Sequence, residues 1–148
     1  MRLDLPSRIE VEVYAIHKLS HYLEEIRLNK VLMIVSKSAL HNNYLEAKFT
    51  EMFKNFKTYH IIFTDYQGEP TSNHLSHTTE IARTHNVDGI IGIGGGSAMD
   101  LAKATSFQEK NPSYSIQDVP QLDKIDRLPL ITVPTTAGTG SDVNKIKM

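Results

Sequence analysis

Short apolar runs alternate along this chain with segments whose apolar residues recur every three or four positions, and that alternation constrains the fold more than any other feature. Val31-Leu32-Met33-Ile34-Val35 is apolar without interruption, as expected of a strand buried on both faces. Tyr59 to Phe63, Gly89 to Ile93 and Leu130 to Val133 read as further core strands, the last closed by Pro134. Arg8 to Val13 alternates polar and apolar residues and reads as a first strand. Between the strands, Ile16, Leu19, Leu23 and Ile26 mark one helical stripe, and Leu45, Phe49, Met52 and Phe56 mark a second. Pro70 introduces a third helix with Leu75, Thr78, Ile81, Ala82 and His85 on its inner face, ending near Asn86. Ala98, Leu101, Ala102 and Thr105 stripe a fourth. Strands and helices in this order predict an α/β fold with a mainly parallel sheet.

The chain of 148 residues fits one domain, 1–148, with no internal repeat and no low-complexity linker. Sixteen basic and 17 acidic residues are scattered along it for a net charge of −1, which argues against nucleic acid as a partner. There is no cysteine, which excludes disulfides, thiolate nucleophiles and Cys-based zinc sites. The apolar runs are too short to span a membrane, and MRLDLPSRIEV has no apolar signal-peptide core, so the expected location is cytoplasmic. A long polar connection, EKNPSYSIQDVPQLDKIDR, lies between Phe107 and Leu128; connections of that length usually contain a short helix or carry function.

Right-handed crossovers bring the loops that follow parallel strands to one edge of the sheet, where ligands of such folds bind. Three loops there carry chemistry: Ser36-Lys37-Ser38, the turn at Gly94, and Thr135 to Ser141. In the second, a buried strand runs into Gly94-Gly95-Gly96 and then into a helix opened by Ser97. Glycines permit positive φ and let a phosphate approach without meeting a Cβ. A helix start offers unpaired N–H groups and partial positive charge to an anion. Ser97 and Asp100 are spaced like a capping box with a shortened acid. The competing explanation is that the glycines serve only a tight turn and Ser97 only caps its helix. The dinucleotide-fold fingerprint is not met, so the spacing says phosphate and leaves the nucleotide open.

The third loop, Ile131-Thr-Val-Pro-Thr-Thr-Ala-Gly-Thr-Gly-Ser-Asp142, presents the hydroxyls of Thr135, Thr136, Thr139 and Ser141 just past a strand end. Hydroxyls that donate and accept suit ribose and phosphate oxygens, although turn residues also bond their own backbone. Together, GIGGGSAMDLAKA and VPTTAGTGSD resemble the paired signature of the iron-containing, or group III, alcohol dehydrogenases. The resemblance continues upstream through Val31-Leu-Met-Ile-Val-Ser-Lys and Glu69-Pro-Thr, and so covers nearly the whole chain. Dehydroquinate synthases and glycerol dehydrogenases share the architecture but carry different residues in place of Thr-Ala-Gly-Thr-Gly-Ser.

The resemblance implies a Rossmann-like, dehydroquinate synthase-like N-terminal domain that binds NADP or NAD. It places Gly94, Gly95, Gly96 and Ser97 at the pyrophosphate, Thr135, Thr136 and Thr139 at the phosphates and ribose, and Asp100 nearby. Lys37 stands where NAD-using members resemble one another in having an aspartate for the adenosine ribose. A cation beside hydroxyls can receive a 2′-phosphate but cannot accept from a 2′-OH, which favours NADP.

In the family, an Asp and three His of a C-terminal helical domain hold iron or zinc, which activates a small alcohol or aldehyde. This sequence contains no segment matching that ligand set, so no catalytic and no metal-binding residue is assigned. His17 and His21 are four apart, yet no Glu follows His17 and no third ligand is evident; His74 and His77 read as helix or surface residues. Further departures are Glu69, where an asparagine that touches cofactor is common, and Asp142 to Met148, which match only in their first two residues. An apolar face meant for the helical domain would invite self-association into a homo-oligomer. Three readings follow: the cofactor domain of a metal-dependent alcohol dehydrogenase, a non-catalytic dinucleotide-binding fragment, and a folded remnant.

Overall fold

The computed structural model of the chain describes residues 8–41, 43–54, 58–64, 71–112 and 126–135. In chain order these form β1 (Arg8–Glu10), a 3-10 helix (Val13–Lys18), α1 (Leu19–Glu25), β2 (Lys30–Val35), α2 (Lys37–Leu40) and α3 (Asn43–Lys54). They continue with β3 (Tyr59–Phe63), α4 (Ser72–Thr84), β4 (Gly89–Gly94), α5 (Gly96–Lys110) and β5 (Leu130–Pro134). The five strands form one sheet in the order β1-β5-β4-β2-β3, and every pair is parallel. The expected α/β fold, a parallel sheet with flanking helices, is therefore what the chain adopts.

The runs that are apolar throughout, β2, β4 and β5, occupy the centre of the sheet with both faces covered. On one face, Val31, Met33 and Val35 pack with Ile91, Ile93, Ile131 and Val133 beneath Ile16, Leu19, Leu23, Leu45, Phe49 and Met52. On the other, Leu32, Ile34, Ile90 and Leu130 pack beneath Ala82, Ala98, Leu101 and Ala102. Each fully buried Leu or Ile stabilises the fold by roughly 1.5–3 kcal/mol. Helix α5 comes very close to β4: a Cβ on Gly92 would lie 2.7 Å from Ala102 Cβ, so a glycine is required there. At the opposite end of the strands, the Asp88 carboxylate accepts from Asn29 N at 2.9 Å and Lys30 N at 3.0 Å, joining the start of β2 to the start of β4.

The first strand is shorter than expected. It ends at Glu10, and Val13 opens a 3-10 helix instead of completing the strand. Alternation marks which side chains share a face; the partner strand sets the length. Here β5 pairs Arg8, Ile9 and Glu10 with Leu130, Ile131 and Thr132, after which the chain turns to bury Ile16. Strand β3 is an edge strand rather than a core strand, with Tyr59 54% and Ile62 39% exposed. Lys30 Nζ stands 5.5 Å from the Tyr59 ring centroid, which partly screens that edge. Helix α5 continues through Lys110, so the polar connection begins later than Phe107, which is itself buried. Phe56, Glu69, Pro70 and Asp142 to Met148 lie outside the described residues. Among the described residues no helix is long and apolar enough to cross a membrane.

Candidate functional site

The connection after β2 leads to α3, which packs on one face of the sheet, whereas the connection after β4 leads to α5 on the other. Because β2 and β4 are neighbours, their C-terminal ends flank a topological switch point, the crevice at which open α/β sheets bind ligands. The sequence places Ser36 at one side of this crevice and Gly94-Gly95 at the other.

Hydrogen bonds tie the three expected loops into one cradle. Ser36 N donates to Ile93 O at 3.0 Å, and Thr135 N donates to Gly94 O at 2.9 Å. Gly94 therefore lies between the ends of β2 and β5, with both flanking strands anchored to its turn. Its φ of +145° is a conformation that L side chains rarely adopt, and a Cβ there would meet Ser36 Oγ at 2.5 Å. Of the three consecutive glycines, only Gly94 has positive φ.

Helix α5 does not start as expected. Its N-cap is Gly95, in extended conformation and with no side-chain capping bond, and Gly96 and Ser97 are its first two residues. Ser97 is thus not the cap, and the Ser97–Asp100 pair is not a capping box; the cap lies two residues earlier, which carries Ser97 into the first turn. The N–H groups of Gly96, Ser97 and Ala98 have no carbonyl available within the helix, and among the described residues no side chain bonds to them. Among the described residues, a Cβ on Gly96 would meet nothing within 4 Å, so that side of the first turn is open. Gly96 and Asp100 are exposed, Gly95, Ser97 and Thr135 half-buried, and Gly94 buried. Open, uncapped donors at the positive end of a 15-residue helix fit an anionic group such as a pyrophosphate.

Ser36-Lys37-Ser38 is not a simple loop either. Ser36 caps α2 by accepting from Ala39 N at 3.2 Å, Lys37 is the first residue of that helix, and Lys37 and Ser38 are exposed. The cap was legible as a serine three residues before Ala39, but four residues of helix leave no periodicity to read. Thr136 and Thr139 lie outside the described residues, so the structure brings together Lys37, Gly94 to Ser97 and Thr135, with Asp100 one helical turn further along α5.

Three of the histidines have local partners. Thr71 and His74 form a capping box at the start of α4: Thr71 N donates to His74 Nδ1 at 2.9 Å and His74 N to Thr71 Oγ1 at 3.3 Å. His77 meets the edge of Phe63, and His21 lies 3.6 Å from Glu25. Among the described residues no three His, Asp or Glu side chains gather in a way that could hold a metal ion. A concavity of about 480 Å³ between α4 and α5, lined by Leu75, Thr79, Arg83 and Gln108 among others, includes none of the cradle residues.

The chain is thus an open, parallel α/β domain with a glycine turn at its switch point, the place where ligands of such sheets bind. The sequence profile named "Iron-containing alcohol dehydrogenase" matches residues 6–148, and the chain belongs to that family of alcohol and aldehyde oxidoreductases. The probable alcohol dehydrogenase EutG of Escherichia coli is 31% identical over 118 residues, covering 79% of this chain and 30% of the relative. An iron-containing alcohol dehydrogenase of Thermotoga maritima superposes with a TM-score of 0.73 at 26% identity, over 95% of this chain and 39% of that one. Sulfoacetaldehyde reductase of Bifidobacterium kashiwanohense, solved in complex with NAD+, superposes with a TM-score of 0.69 at 26% identity, over 97% and 38%. The chain thus spans between 30% and 39% of these relatives' length.

Proposed function

We propose that residues 1–148 form the dinucleotide-binding domain of an alcohol or aldehyde oxidoreductase, with the cofactor's pyrophosphate at the start of α5. The observation that carries this reading is the uncapped N-terminus of α5, opened by Gly95 and Gly96 at the switch point between β2 and β4. Gly95, Gly96 and Ser97 would bind the pyrophosphate through backbone N–H groups. Thr135, Thr136 and Thr139 would take phosphate and ribose oxygens, with Gly94 shaping the turn and Asp100 close by. The NAD+ complex of the Bifidobacterium reductase supports the cofactor class.

The exposed Lys37, on the turn beside the cradle, would receive a 2′-phosphate and so favour NADP over NAD. The bound nicotinamide would supply a hydride donor or acceptor. The described residues do not form the metal-ligand set that the family uses on its substrate, so the role assigned to them is to bind and orient the cofactor.

Thermal unfolding with and without NADP or NAD tests the reading. A ligand bound only to the folded state stabilises it by about 2.7 kcal/mol at 100 times its Kd. A rise in Tm with the dinucleotides, and none with nicotinamide alone, is the expected result. No shift with either dinucleotide at millimolar concentration overturns it and leaves a folded chain without this ligand.

A further inference from the structure

Ser36 touches both ends of the cradle. Toward the glycine turn, its N–H donates to Ile93 O at 3.0 Å, and its side chain packs over Gly94, where a Cβ would meet Ser36 Oγ at 2.5 Å and Ser36 Cβ at 2.7 Å. Toward Lys37, the same Oγ accepts from Ala39 N at 3.2 Å and lies 3.3 Å from Ser38 Oγ. A hydroxyl has one proton and two lone pairs, enough for both of these partners at once. Helix α2 has only four residues, too few to hold its own geometry, so its orientation depends on its cap and on what the cap rests against.

We propose that Ser36 is a positioning residue for cofactor discrimination: its backbone N–H ties it to the end of β4, its hydroxyl caps the short helix that begins at Lys37, and together they place Lys37 to meet a 2′-phosphate while the pyrophosphate lies at α5. The proposal rests on the reading of the cradle as a dinucleotide site and of Lys37 as the group that distinguishes NADP from NAD. Lys is a point charge on a flexible stem, with no planar fork to impose geometry of its own. Its selectivity therefore depends on where its Cα is held. Ser36 bonds to the end of β4 through its N–H and to the Lys37 helix through its hydroxyl.

A helix cap with no further role predicts something different. Its loss would lower stability and weaken NADP and NAD in equal proportion, leaving their ratio untouched. Positioning of Lys37 moves the ratio, because only NADP carries the group that Lys37 meets.

The experiment compares Ser36→Ala and Ser36→Thr with the unaltered 148-residue chain, titrating each with NADP and with NAD by calorimetry and recording Tm in parallel. Ser36→Ala is expected to lower the NADP:NAD affinity ratio about fivefold, the scale of one lost capping hydrogen bond. Ser36→Thr keeps the capping oxygen and is expected to restore the ratio. In a Lys37→Ala background, Ser36→Ala is expected to leave the ratio where Lys37→Ala put it, since the two then act through one contact. An unchanged ratio in Ser36→Ala overturns the proposal, whether the two affinities hold or fall together. A further drop of the ratio in the Lys37→Ala background also overturns it. Failure of the unaltered chain to bind either dinucleotide overturns the cofactor reading itself, and this proposal with it.

Discussion

Ser36 and Gly94 compete for one volume: a side chain on residue 94 would begin 2.5 Å from Ser36 Oγ, at a backbone φ of +145° that already disfavours one. The glycine is thus required twice, by the backbone and by its neighbour across the switch point. Gly94→Ala is expected to destabilise the chain by about 1–3 kcal/mol from backbone strain alone, with displacement of Ser36 adding to it. Urea unfolding of the variant checks this, and a midpoint equal to the parent's would show that the turn can relax at no cost.

Gly96 presents the opposite case two residues later. Its would-be Cβ has nothing within 4 Å, and it sits in the first turn of α5. Gly96→Ala is expected to leave stability unchanged or raise it by up to about 1 kcal/mol, since alanine orders less chain entropy. Dinucleotide affinity should nonetheless fall on the order of tenfold, because the methyl stands where phosphate oxygens must approach the N–H groups. Parallel measurement of Tm and Kd separates the two effects.

Lys37 is exposed at the start of α2, so exchanging it should leave the fold intact. Lys37→Asp replaces a cation by a carboxylate that accepts from a 2′-OH and repels a 2′-phosphate. The expected outcome is a reversed preference, with NAD affinity rising and NADP affinity falling about tenfold or more. Titration with both cofactors measures it, and a ratio that stays the same would remove Lys37 from the site.

Thr78 on α4 and Thr105 on α5 are fully buried, with their hydroxyl oxygens 2.8 Å apart. Each also reaches a carbonyl of its own helix, Thr78 to His74 O and Thr105 to Leu101 O. Thr78→Val should cost about 1–2 kcal/mol by leaving the partner hydroxyl short of a bond, and the double Thr78→Val/Thr105→Val variant less than the sum of the singles. A double-mutant cycle by thermal unfolding tests the coupling.

Much of the framework was legible in the sequence because it is local. Uninterrupted apolar runs mark β2, β4 and β5, and their burial on both faces follows from those residues alone. Ala98, Leu101, Ala102 and Thr105 mark the buried face of α5, and all four are buried. The glycine turn was legible for the same reason, as a strand, a turn and a helix written consecutively. Less was legible where an element depends on its neighbour. Arg8 to Val13 has the alternation of a six-residue strand, but β5 pairs with only three of those residues. Tyr59 to Phe63 has the composition of a core strand, but its place at the sheet edge leaves Tyr59 and Ile62 exposed. The start of α5 lies at Gly95 rather than at Ser97, since glycine also serves as a helix N-cap and the spacing alone does not choose between them.

The sequence by itself determined that this chain is a parallel α/β domain with a glycine turn after its fourth strand, and which side chains form its core. Apolar periodicity and glycine punctuation act within a few residues, so they survive without knowledge of the rest of the chain. Only the tertiary structure decided the strand order, and with it that β2 and β4 are neighbours whose helices leave on opposite faces. That order brings Ser36 against Gly94 across 58 residues of chain and sets Thr135 on the other side. Contacts of that range depend on how the whole sheet is assembled, and no local pattern encodes them.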